Sequence, residues 1–185
     1  NIYGVQFPDY NVSTDANKNK DMMVAVVVAD QKANDEMYKY DDVTQGVPTL
    51  FYHVLSSLEI KAKVAEVYDK VTFKVKNITL LANSVQGSYT QGVVAGALPT
   101  AGTWAEASTP VTANLQVYND AGFTLTTSEQ SLDATADDYR ILLPHAFADT
   151  ELMEITYDII TNYTGTPVTE EVTVSKKLSE IFKET

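Results

Sequence analysis

The sequence predicts an all-β protein, and three observations carry that prediction. Its 44% hydrophobic content includes 11 tyrosines and 6 phenylalanines beside many Val and Thr, residues that suit a pleated, half-buried surface better than a helix. Several stretches, LEIKAKV and MEITYDI among them, alternate apolar and polar residues, the period of two expected of a strand with one wet side. Turn signals such as YDK and TGTP punctuate these stretches,. With 185 residues the chain can bury a real core, as one large domain or two small ones,.

Taken in order, NIYGVQF is a short apolar stretch stopped by Pro8, and the polar NVSTDANKNKD follows. MMVAVVVA, residues 22–29, reads as a strand buried on both faces; it falls far short of the roughly 20 residues that span a bilayer. A polar stretch closed by Gly46 and Pro48 leads to TLFYHVLSS, which fits a helical turn or a strand start. Beyond it, Leu58, Ile60, Ala62 and Val64 fall on one face and Ser57, Glu59, Lys61 and Lys63 on the other. After the YDK turn, Val71, Phe73 and Val75 resume the alternation, but the phase slips at Lys76 and Asn77. Ile78 and Leu80 then keep facing inward only if a bulge absorbs one residue.

Residues 84–114, rich in Gly, Ala, Ser and Thr, predict long loops between short strands such as GSYTQG and ANLQVYN. The polar TTSEQSLDATADD, 126–138, is the linker candidate,. It divides the chain into a first unit, 1–128, and the beginning of a second, 129–185, with one continuous module as the alternative. RILLPHAFADT holds the single arginine and one of two histidines. It reads as a buried strand, Ile141 to Leu143, broken at Pro144, which cannot donate to a central ladder. Met153, Ile155, Tyr157 and Ile159 alternate with Glu154, Thr156 and Asp158, TGTP turns the chain, and EEVTVSKKL makes another strand before SEIFKET.

The charge balance, 13 basic against 25 acidic residues for a formal −12, repels phosphate backbones, so nucleic acid is not expected as a partner. The lack of cysteine removes thiol nucleophiles, Cys-ligated zinc and disulfides together,. No signal peptide opens the chain, which reads as a processed or excerpted polypeptide,. His53 and His145 lie outside any frame that would set two ligands on one helix face,, and no Gly-x-Ser-x-Gly turn marks a hydrolase nucleophile,. The acidic doublets Asp41-Asp42, Asp137-Asp138 and Glu170-Glu171 point to opposite faces if extended and read as solvated charge. No catalytic residue and no cofactor is therefore expected.

Two binding patterns remain. Asp15, Asn17, Asn19 and Asp21 recur every second residue, as oxygen ligands do in calcium loops,. Lys20 sits where such a loop needs glycine and Val26 where it needs a bidentate glutamate, so a polar loop outweighs a calcium site,. Trp104 with Tyr89 and Tyr118 could form a sugar-stacking platform, because amphipathic rings bind pyranose faces,; single aromatics in β-proteins more often belong to the core or rim. Asn11, Asn77 and Asn162 stand in N-x-S/T sequons, which matter only in a glycosylating pathway.

The order of several short motifs resembles the fimbrillin-like proteins of Bacteroides and its relatives, subunits and accessory proteins of type V pili. DMMVA precedes a strand; TLFYHVLSSLEIKAKV is similar to the family's Phe-x-His-x-Leu segment; KNITLLANSVQGSYT is similar to its Ile-x-Leu strand and Gly-Ser-Tyr turn. GTW at 102–104 follows, then YRILLPHAFADTELMEITYDI, where His145 replaces the usual Gln after Pro144. The resemblance spans roughly residues 20–178, and collinearity carries it, since each motif is weakly specific alone,.

The resemblance implies transthyretin-like antiparallel β-sandwich modules, export as a lipoprotein and a place in an extracellular fimbrium at the outer membrane. The lipoprotein signal, the first strands and the family's final Trp- and Tyr-rich strand are expected to be missing from this chain, so contact with a membrane would come only through an anchor outside it. Partners would be other pilus subunits, joined by a donated strand, with a host glycan or protein as a further expected ligand. A sandwich lacking a strand exposes an apolar groove and an unpaired edge, and the residues expected to line it are Met22, Val24, Val26, Val28, Leu58, Ile60 and Val64. The runner-up reading is a secreted carbohydrate-binding β-sandwich built on the Trp104 platform.

Overall fold

The computed structural model describes residues 5–25, 51–91, 102–132 and 140–182. The longest alternating stretch organises them. In chain order the strands are β1 (Gln6–Asn11), β2 (Met23–Ala25), β3 (Phe51–His53), β4 (Ser56–Leu58), β5 (Lys61–Ala62), β6 (Val71–Ser84), β7 (Gln86–Thr90), β8 (Thr103–Glu106), β9 (Thr112–Thr124), β10 (Gln130–Ser131), β11 (Arg140–Leu142), β12 (Leu152–Thr161) and β13 (Val168–Lys177), followed by a single helical turn, α1 (Leu178–Ile181). The fold is all-β, with antiparallel pairing between its strands.

The main layer is a four-stranded sheet in the order β13-β12-β6-β9. Its inner face sets Met153 opposite Leu80, Ile155 opposite Ile78 and Tyr157 opposite Val75. The bulge expected at the phase slip is found there: Val75 pairs with Tyr157 and Asn77 with Thr156, leaving Lys76 without an opposite number in β12. Absorbing that residue keeps Ile78 and Leu80 buried beside Val75, as a two-residue side-chain period requires. The extra Lys76 reaches instead to Asp158 at 3.6 Å and to Glu171, and the Glu171 hydrogen bond raises its pKa.

A second irregularity follows between Leu80 and Asn83, opposite Leu115 and Ala113. Ala82 takes a left-handed φ of 54° and donates its N–H to Asn114 Oδ1 at 3.1 Å. Strict alternation from Leu80 would send Asn83 outward; the irregularity turns it into the interior, where it is fully buried,. The chain then changes sheets at the buried Val85. Ser84 pairs with Thr112 in the main layer and Gln86 with Asn11 in the three-stranded sheet β1-β7-β8, while Val85 donates to the carbonyl of Val111 and accepts from Val12, both at 2.9 Å.

Three short pairs, β2-β3, β4-β11 and β5-β10, complete the strands. Residues 58–64 keep the expected burial alternation, yet they belong to two strands and not one, β4 pairing with β11 and β5 with β10. Of MMVAVVVA only residues 22–25 lie within the described residues. There Val24 is buried and Met23 is 48% exposed, so this part alternates where burial on both faces was expected. Of TLFYHVLSS, residues 51–57 lie within the described residues, and there 51–53 and 56–57 are strand with no helical turn. Part of the proposed linker is structured too: β10 lies within it and Leu132 is buried. Among the described residues no helix is long and apolar enough to cross a membrane.

The principal core joins Ile78, Leu80, Leu115 and Val117 to Leu132, Ile141, Leu142, Leu143, Met153 and Leu178, so residues on both sides of position 128 share it. A smaller cluster gathers Val24, Val54 and Tyr89. The GTW motif tightens this second cluster. A Cβ on Gly102 would stand 2.4 Å from the Thr90 carbonyl oxygen and 2.7 Å from Gln91 Cα, both backbone atoms, and the Gly102 N–H donates to Tyr89 Oη at 2.9 Å. Gly102→Ala is expected to cost about 1–3 kcal/mol through overpacking, seen as a lower urea midpoint with an unchanged slope.

Candidate functional site

An apolar groove of about 580 Å³ opens between residues 60–64 and the inner face of the main sheet. Ile60, Ala62 and Val64 form one wall; Val75, Ile155, Tyr157 and Val174 form the other. The alternation of 58–64 aims those walls inward, and the same period places Lys61 and Lys63 at the rim with Glu129, which Lys61 approaches at 4.0 Å. Backbone pairing explains the opening. The stretch 56–64 meets residues 126–142 along one edge, through β10, β11 and the bond from Val64 N–H to Thr126 O at 2.9 Å. No described strand pairs with its other edge or with the outer edge of β13. Among the described residues, the strands facing the main sheet therefore stop short of the inner face of β13.

Just before β12 a sealed polar cluster holds the chain together. His145 Nδ1 lies 2.8 Å from the Leu143 carbonyl, which can only accept, so Nδ1 carries a proton,. Nε2 meets Glu151 Oε1 at 2.7 Å. The same oxygen accepts from Ser84 N–H at 3.0 Å and Asn83 Nδ2 at 3.1 Å, and Oε2 accepts from Ala148 N–H at 2.6 Å. Leu178 N–H then donates to the Glu151 carbonyl at 2.9 Å, and Phe147 stacks on Phe182, which docks α1. The His145 and Glu151 side chains are 2% and 4% exposed, so the pair is enclosed and presents no face to a substrate.

Sequence reasoning singled out His145 but missed Glu151 and Asn83. Nothing local marks them, because the bulged course of β6 is what aims Asn83 at a loop more than sixty residues away,. Arg140 is likewise buried rather than a surface charge; its Nε donates to the carbonyl of Val117, and burial lowers its pKa.

The candidates from the sequence fall in different places. Ile60 and Val64 line the groove; Ile60 also belongs, with Leu58, to the principal core. Val24 centres the smaller cluster and Met22 packs against it; Val26 and Val28 lie outside the described residues. In the polar loop, Asn19 turns inward, accepting from Ser13 N–H at 2.6 Å and donating to Ile141 O at 3.0 Å. Asp15 pairs with Lys18 at 3.0 Å and Asp21 with His53; the Asn17 side chain lies outside the described ones. The loop's oxygens thus diverge toward separate partners. The aromatic trio separates too. Tyr89, 1% exposed, and Trp104 pack with ring centroids 5.4 Å apart, and Trp104 Nε1 donates to Val54 O. Tyr118 is buried on β9. Neither tyrosine offers an open face to a sugar.

A family model described as fimbrillin-like matches residues 3–179. The chain belongs to the fimbrillin-like family. No curated protein and no solved structure matches it. Membership assigns this fimbrillin-like chain a structural place among pilus subunits at the cell surface, and the all-β architecture agrees with the family.

Removing Glu151 takes the acceptor from the buried Ser84 N–H and Asn83 Nδ2, from Ala148 N–H, and the carboxylate from His145. Glu151→Ala should lower stability by about 3–5 kcal/mol, measured by urea denaturation, and His145→Gln should cost less than His145→Ala because an amide can still bond to the carboxylate. Tyr118 gives the opposite case. Its buried hydroxyl has no hydrogen-bond partner among the described residues, and burial, then Asp120, raise its pKa against a smaller lowering by Arg140. Tyr118→Phe should leave the midpoint unchanged or higher at neutral pH. Since the fold favours the neutral phenol, this stabilisation is complete below the ordinary value of 10.0 and is lost as pH rises beyond it, so Tyr118→Phe should lose less stability than the parent above about pH 10.

Proposed function

We propose that this chain is a pilus building block that accepts a strand donated by a neighbouring subunit into the groove between residues 60–64 and the inner face of β12 and β13. The observation that carries the reading is the coincidence of an apolar groove with two strand edges that have no described partner. An incoming strand would bond to the free edge of 56–64 and fill the groove with alternate side chains, while its other face remained wet. The rim lysines Lys61 and Lys63 with Glu129 would help set the register,. On this reading the protein acts by assembly and not by catalysis. It would be exported as a lipoprotein precursor and anchored at the outer membrane through a segment outside this chain.

We further read the described residues as one continuous module, the alternative to a division at 128/129. Support comes from β12, which pairs with β6 across that position, and from the shared core.

Val64 and Val174 line opposite walls and both are partly or fully exposed, so charged substitutions there test the groove without breaking the core. Peptides copied from the terminal strands of pilus partners should bind the purified chain by calorimetry or fluorescence anisotropy. Val64→Asp and Val174→Asp should each weaken binding about tenfold or more by placing an unpaired charge in an apolar site, with little change in the melting midpoint. A chain that neither polymerises nor takes up such peptides would sink the proposal.

A further inference from the structure

Strand β13 pairs with β12 along one side only, and no described strand covers its other edge. A long row of unpaired N–H and C=O groups templates another strand unless charge or shape opposes it. Here the charges are arranged to attract. Glu170 and Glu171 lie near the start of β13 and Lys176 and Lys177 at its end, so an antiparallel copy of the same strand brings opposite signs together.

We propose that β13 pairs antiparallel with β13 of a second copy of this chain, about a two-fold axis through Thr173. Antiparallel neighbours in one sheet can be related by a two-fold axis only if it stands perpendicular to the sheet, so facing residues come from the same face of the strand. Val172 and Val174 lie on the inner face, opposite Tyr157 and Ile155, and Glu170 and Lys176 share it. With the axis at Thr173, Val172 meets Val174 of the copy and Glu170 meets Lys176, each contact occurring twice. An axis at Val174 would set Val172 against Lys176, and one at Val172 would set Val174 against Glu170. Only the Thr173 register satisfies the apolar and the charged pairs together.

The present surroundings leave these groups available. Val174 is 44% exposed, so pairing would remove apolar surface from water. Glu170 makes no ion pair among the described residues, and Lys176 has only an exposed contact with Glu180 at 3.9 Å, which competes weakly. On the outer face Thr173 would meet Thr173 and Glu171 would meet Ser175, leaving the existing Glu171–Lys76 pair intact. No like charges face each other. The pairing uses the edge of β13 and stands without the strand-exchange reading.

Sedimentation velocity on the full chain should show a concentration-dependent dimer. Glu170→Lys and Lys176→Glu, which singly set like charges face to face, should each weaken it about tenfold or more, and the double swap should restore it. The chain has no cysteine, which permits a positional test. Thr173→Cys should form a disulfide-linked dimer on oxidation, whereas Ser175→Cys, about 14 Å from its counterpart along the copy, lies beyond the roughly 7 Å reach of a disulfide and should not. A chain that stays monomeric and gives no more cross-linking at 173 than at 175 overturns the proposal. Association indifferent to the single swaps overturns it as well. Loss of peptide uptake with cross-linking at 173 intact would count against the groove alone.

Discussion

Strand β6 must pair along both edges while keeping one apolar face on the core, and the rest of the structure depends on how it meets that constraint. A regular strand of its sequence would turn Ile78 and Leu80 to solvent after Val75. The bulge at Lys76 restores the phase, and the irregularity at Ala82 changes it again so that Asn83 enters the interior. Each departure from regular pairing has a visible return: the first recovers the core, and the second supplies a donor to Glu151. Leaving the main sheet at Val85, the same chain segment begins β7 and so ties the three-stranded sheet to the four-stranded one.

The start of β12 and its inner face are treated differently. At Glu151, beside the start of β12, a carboxylate gathers donors from a strand, a loop and an imidazole, and its backbone holds α1. Buried polar groups so fully engaged favour one arrangement of the segments they join. Along the inner face, from Ile155 to Tyr157, the second layer withdraws and leaves the groove. On the proposed reading a pilus subunit benefits from both: a locked end that resists unfolding and an open side that a neighbour would complete.

The edges that no described strand covers lie on the open side as well. Edges in soluble proteins are usually shielded by charge, and β13 does carry four charged residues. Their order along the strand matters more than their number, since two acids followed by two lysines repel a parallel copy and attract an antiparallel one. Whether an edge protects or recruits thus follows from the sequence of signs.

Much of the fold was legible because its cause is local. Composition and the period-two pattern implied strands at 58–64, 71–80 and 153–159, and the slip at Lys76 announced its bulge, since side-chain direction in a strand depends only on parity. The collinear motifs identified the family, and parity set Ile60 and Val64 on one face, which the structure turns toward an apolar opening. Other features were decided by tertiary structure. Val64 shares the parity of Leu58 and Ile60, yet those two are buried in the principal core while it stays half-buried; Tyr89 and Tyr118 are buried by segments distant in sequence; and Glu151 meets Asn83 only because two sheet irregularities bring them together. Parity along one strand determines which way a side chain points. What it meets there depends on pairing between distant segments, which the local pattern does not encode.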